Sequence, residues 1–158
     1  FHGDVILLSE WTREIKRAGL PSGEIPEYLK RVRGMIIDSF GKLSSLYRFA
    51  DVAYIGGGFG AGIHNLNEAA VYGMPVIFGP NNVKFKEAAD LVECGGGFSV
   101  ASREEFCHII DILYGSPADL KLAGDAAGKY IRDHLGATDL IYNDLFGDKR
   151  MQSDIESK

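Results

Sequence analysis

The residues whose types and spacing suit chemistry lie in one stretch, Tyr54-Ile-Gly-Gly-Gly-Phe-Gly-Ala-Gly-Ile-His64-Asn65-Leu-Asn-Glu68-Ala-Ala-Val-Tyr-Gly73-Met-Pro75-Val-Ile-Phe-Gly79-Pro80. It reads as a strand, a glycine-rich loop, a short helix, a glycine cap and a second strand. Gly57 and Gly58 belong to a loop that offers backbone N–H groups with little side-chain bulk. The helix that follows adds unpaired N–H groups and the positive end of its dipole, so the two together suit an anion such as a phosphate. Glu68 stands one turn inside the predicted helix. A carboxylate there does not bind phosphate, but it can accept two hydrogen bonds from vicinal hydroxyls, as a ribose presents. Its other reading is a charge that complements the helix dipole. His64 is a general acid, a phosphate donor, or a ring that shapes the loop. Asn65 contacts a nucleotide or satisfies loop backbone. Lys42 and Lys84 meet phosphate or carboxylate, or are solvated surface lysines.

Two other nucleotide folds fit less well. Gly56-x-Gly58-x-x-Ala61 matches the loose dinucleotide fingerprint, but the next strand ends in Phe78-Gly79-Pro80-Asn81 with no acidic residue for an adenosine ribose. A P-loop needs Gly-Lys-Ser/Thr after the cluster, and none is there. Gly95-Gly96-Gly97 follows a helix directly and reads as a cap and turn. No metal site is expected, because Cys94 and Cys107 lack metal-type spacing and read as reduced structural thiols.

The elements that must position this stretch follow from the hydrophobic pattern. Strands are predicted at 4–8, 35–37, 52–55, 76–78 and 98–100. Helices are predicted at 42–49, 66–72, 84–94, 103–114, 117–135 and from Thr138 to about Phe146, and residues 27–33 are helical or irregular. Ser102 and Glu105 have the spacing of a capping box, and Pro75 opens the strand after Gly73. Trp11 sits in a polar stretch with no assigned role. This alternation predicts an α/β, Rossmann-like parallel sheet with helices on both faces. Ligands then bind beyond the carboxyl ends of the strands, where the turn Ser39-Phe40-Gly41-Lys42 and the segment from Gly56 to Glu68 are expected.

The chain has 158 residues, 46% hydrophobic and 25% charged, which suits one globular domain. One donor-binding domain is expected over 1–146, and a polar disordered tail over 147–158. Ten of the 20 glycines lie between Gly56 and Gly97. A net charge of −5 without a basic stripe argues against nucleic acid as a partner. No run of about 18 apolar residues exists to span a membrane. The chain starts at Phe1 rather than a methionine, which reads as a piece of something longer.

Together these motifs resemble the donor-nucleotide half of a GT-B glycosyltransferase, and more narrowly 3-deoxy-D-manno-octulosonic acid (Kdo) transferase. The residues that carry the resemblance are Asp38-Ser-Phe-Gly41-Lys-Leu43 with Leu46-Tyr47, then Ala50-Asp51-Val-Ala-Tyr-Ile-Gly56-Gly57, His64-Asn65-x-x-Glu68, Gly79-Pro80, and Phe85-Lys86-Glu87. It covers about Asp38 to Asp144. Within it, Lys42 replaces a common glutamate, Leu66-Asn67 a proline-leucine pair, and Lys84 a frequent asparagine.

The resemblance implies the C-terminal half of a GT-B fold that binds CMP-Kdo or CMP. Phe40, Gly41 and Lys42 would lie on one side of the nucleotide, and Asn65, Leu66, Asn67 and Glu68 on the other, with Glu68 on the ribose. Gly57, Gly58 and His64 complete the expected nucleotide-binding set, with His64 as a possible auxiliary group. The catalytic carboxylate, the contact with a lipid A precursor and the membrane anchor would belong to an N-terminal domain, at the cytoplasmic face of the bacterial inner membrane. No cofactor is implied. The alternatives are the nucleotide-binding domain of a UDP- or GDP-sugar GT-B transferase or epimerase, and a nucleotide-binding module without chemistry.

Overall fold

In a computed structural model, the structure describes residues 4–136 together with 142 and 144. Of the predicted last helix only residues 142 and 144 are described, and both are helical; the rest of it and the tail lie outside the described residues. The chain divides into two compact units, one up to Leu46 and one from Tyr47 onward.

In the first unit, strand β1 (Asp4–Leu7) pairs in parallel with β2 (Val32–Ile36), with a register shift between Asp4 and Val5. Helix α1 (Leu8–Ala18) follows β1 directly, where the sequence reading placed no helix. Its apolar positions Leu8, Trp11 and Ile15 are half-buried at helical spacing, so Trp11 is a packing residue of this helix. Gly19, at φ 60°, ends it in the left-handed conformation that glycine adopts without penalty. A 3-10 turn (Glu27–Arg31) leads into β2. Helix α2 (Leu43–Tyr47) ends on the first residue of the second unit.

The second unit is built on three parallel strands, β3 (Ala53–Ile55), β4 (Val76–Phe78) and β5 (Gly97–Ser99), in the order β3-β4-β5. Tyr54, Ile77 and Phe98 form one row across it. All three residues of β4 are fully buried, as a central strand with both faces covered must be. Ala53, Ile55, Val76 and Phe78 pack with Leu66, Ala69 and Ala70 from around α3 (Asn67–Ala70), and with Ala88 and Leu91 of α4 (Lys86–Glu93). Ile77 joins Val100, and Leu113 of α5 (Arg103–Gly115), on the other face. Helix α6 (Pro117–Asp133) serves both, placing Ala127 in the first cluster and Ala123 in the second. It approaches closely because its contact residues are small. A Cβ on Gly124 would lie 2.4 Å from the Gly73 carbonyl oxygen. The expected α/β architecture, parallel strands with helices on both faces, is the one observed.

Candidate functional site

The glycine loop leaves the carboxyl end of β3, the edge of the sheet where parallel folds place ligands. It folds back on itself. The N–H groups of Gly60 and Gly62 donate to the Gly57 carbonyl at 2.9 and 3.3 Å, and the His64 N–H donates to Gly56 at 3.2 Å. Those three donors are therefore spent on loop shape rather than on an anion. Gly57 has φ 92°, and a Cβ there would stand 2.2 Å from the Gly62 carbonyl oxygen. Gly58 is buried with its backbone against Gly79 at the end of β4, 2.6 Å from where its Cβ would be. Both glycines thus have a packing reason to be glycine, independent of any ligand.

Two residues absent from the sequence-derived set hold this loop in place. The Asn81 N–H donates to the Gly58 carbonyl at 2.9 Å, and its side-chain Nδ2 donates to the Gly60 carbonyl at 2.6 Å. Asn82 Nδ2 donates to the Gly79 carbonyl and to Ser99 Oγ at 3.0 and 2.8 Å, tying the end of β4 to that of β5. The signal for them is the polar Asn-Asn pair that follows Gly79-Pro80 at the end of a fully apolar strand. The Phe85 ring stands beside Gly62, 3.1 Å from the Cβ position.

Beyond the loop, Ile63 and Leu66 are buried while His64, Asn65, Asn67 and Glu68 face outward. This alternation presents the polar groups as one exposed surface anchored by two apolar side chains. Helix α3 is shorter than the sequence suggests and begins at Asn67. Glu68 therefore sits in its first turn, not one turn inside. A helix of four residues has little dipole, so the anion site expected at its N-terminus loses most of that contribution. Gly73, at φ 71°, closes the segment as predicted.

Asn65 Oδ1 accepts the Asn67 N–H at 3.0 Å, and Asn65 Nδ2 donates to Glu68 Oε1 at 3.2 Å. The His64 ring makes no hydrogen bond to a described residue. Half-buried Tyr47 packs its ring 6.2 Å from Tyr72, and burial followed by the Glu68 charge holds its hydroxyl pKa above the usual value. Beside the loop, Tyr54, Phe59, Val100, Ser102, Arg103 and Phe106 line a mostly apolar cavity of about 250 Å³. A larger one, about 440 Å³, lies between α4 and α6 and touches none of the expected residues.

In the first unit, Phe40 is fully exposed, Gly41 turns the chain at φ 74°, and Lys42 is exposed. The turn is fixed from below. Ser45 Oγ and the Leu46 N–H donate to the Lys42 carbonyl at 2.8 and 3.1 Å. Just before it, the Asp38 carboxylate accepts the Ser9 hydroxyl at 2.5 Å and the Ser9 N–H at 3.1 Å. Those donors hold the Asp38 pKa below the usual carboxylate range. Among the described residues no cluster of His, Cys, Asp and Glu is arranged to hold a metal, and no helix is long and apolar enough to cross a membrane.

No protein-family model matches the chain. Curated proteins do. A 3-deoxy-D-manno-octulosonic acid transferase of Bordetella pertussis is 33% identical over 124 residues, 77% of this chain and 28% of that protein. One from Aquifex aeolicus is 33% identical over 90 residues, 56% of this chain and 26% of that protein. The probable mitochondrial enzyme of Arabidopsis thaliana is 33% identical over 91 residues, 54% of this chain and 20% of that protein. The chain thus spans about a quarter of the length of the curated relatives it matches. The crystal structure of the C-terminal CMP-Kdo binding domain of WaaA from Acinetobacter baumannii superposes with a TM-score of 0.57 at 20% identity, covering 63% of this chain and 53% of that one. Sequence and fold agree: over 124 residues this chain is similar to a 3-deoxy-D-manno-octulosonic acid transferase, and its α/β fold is similar to that of the C-terminal domain of WaaA.

Proposed function

We propose that the chain is the donor-nucleotide-binding part of a glycosyltransferase that moves Kdo from CMP-Kdo to a lipid A precursor at the cytoplasmic face of the inner membrane. The observation that carries this is the 124-residue relationship to an enzyme of that name, joined to an exposed polar surface at the carboxyl end of a parallel sheet. In this reading Glu68 accepts the ribose hydroxyls. Asn65, Leu66 and Asn67 shape that surface, and Gly57 and Gly58 give the loop its form. His64 has an auxiliary role toward phosphate. Orienting the nucleotide and stabilising the departing phosphate are what a donor domain contributes to the transition state. The base that deprotonates the acceptor hydroxyl, the acceptor and the membrane contact belong to a different part of the enzyme. The isolated chain accordingly has no transferase activity.

Titration of the 158-residue chain with CMP, UMP and GMP, followed by amide chemical shifts, tests the reading. CMP should move the Asn65 amide more than UMP or GMP does. An equal response to the three nucleotides would favour a UDP- or GDP-sugar transferase or an epimerase domain. No response to any nucleotide, or turnover by the chain alone, would overturn the proposal.

A further inference from the structure

We propose that Asn65 is a positioning residue, whose side chain fixes the Glu68 carboxylate in place before any nucleotide arrives. The inference rests on the donor-nucleotide reading and deepens it. The Asn65 carboxamide works at both ends: Oδ1 accepts the Asn67 N–H at 3.0 Å, while Nδ2 donates to Glu68 Oε1 at 3.2 Å. The first bond starts α3, since Leu66 occupies the position before the helix and has no side chain able to cap it. The second holds an exposed glutamate that would otherwise sample several rotamers. Leu66, fully buried between the two polar residues, keeps the backbone from drifting. The clamp leaves acceptor capacity free, because Oε2 makes no hydrogen bond to a described residue and Oε1 keeps a second lone pair. A carboxylate so held can take two vicinal hydroxyls without first losing rotamer freedom. The ordering cost is met on folding rather than on binding.

The test uses the 158-residue chain, with CMP and 2′-deoxy-CMP as probes in calorimetry. Asn65→Ser keeps an acceptor for the Asn67 amide and loses the donor to Glu68, whereas Asn65→Ala loses both. Asn65→Ser is expected to melt like the parent and to weaken CMP about three- to tenfold. It should narrow the preference for CMP over the deoxy probe, and have no further effect in a Glu68→Ala background. An equal loss in that background would show that Asn65 touches the nucleotide directly, and an unchanged affinity would show that it does neither; both overturn the proposal. If Glu68→Ala itself leaves CMP binding intact, the ribose role of Glu68 fails instead. Three-bond couplings at Glu68 in the ligand-free chain decide the positioning separately. They should report one side-chain rotamer in the parent and averaging in Asn65→Ser, and averaging in the parent overturns the clamp.

Discussion

Glu68 and Asp38 are both exposed carboxylates with neighbours that hold them, and their expected behaviours differ. Glu68→Ala should weaken CMP binding about tenfold or more, the scale of a lost hydrogen bond to a charged group. Calorimetry with CMP reads this directly, and Glu68→Gln separates the charge from the shape. Asp38 acts on stability. Its folded-state pKa lies below the unfolded value because the Ser9 hydroxyl, and then the Ser9 N–H, donate to the charged form. That stabilisation is present above the unfolded value and is lost as pH falls through the folded one. The melting temperature of the parent chain should therefore exceed that of Asp38→Asn above about pH 4, and the gap should close in more acid solution. A gap that persists unchanged at pH 2 would show that the carboxylate charge is not what matters.

At the scale of elements, the glycine loop is held by contact as much as by hydrogen bonds. Gly58→Ala places a methyl group 2.6 Å from Gly79 backbone, so the loop or the end of β4 must move. Overpacking of this kind costs roughly 1–3 kcal/mol. Denaturant unfolding should show that loss even with no nucleotide present, which separates a packing role from a binding one. The start of α5 offers a second test. Ser102 Oγ accepts the Glu105 N–H at 3.1 Å, as the sequence spacing implied, and Glu105 reaches back to the Ala101 N–H at 2.7 Å. Ser102→Ala should cost about 1 kcal/mol in the same measurement, the usual value of an N-cap.

At the scale of the whole molecule, the two units differ in how much they bury. In the second unit, β4 is covered on both faces and has a paired strand on either side. In the first, two strands make the whole sheet, Val5 and Ile36 are about half exposed, and only Pro26 and Leu29 are buried among the described residues. Two-stranded sheets are marginal in isolation. Hydrogen exchange should therefore find the amides of β1 and β2 opening well before those of β3, β4 and β5. Equal protection in the two sheets would mean that one cooperative transition governs the chain.

Local chemistry alone determined the alternation of strands and helices, the bounds of β4 between Pro75 and Gly79, the caps at Gly73 and Ser102, and the residue types gathered near Glu68. Each of these depends on neighbours a few positions away, so periodicity and turn chemistry suffice to reveal it. Helix α1 was missed because Glu10, Thr12 and Arg13 surround Trp11 and hide its spacing from Leu8 and Ile15. Only the tertiary structure decided what the glycines are for. A glycine that admits a ligand and one that admits another backbone look alike in sequence, and Gly58 against Gly79 is of the second kind. The same holds for the Asn81 and Asn82 bonds and for the Ser9–Asp38 pair. They join positions up to 29 residues apart, which come together only when the strands stack.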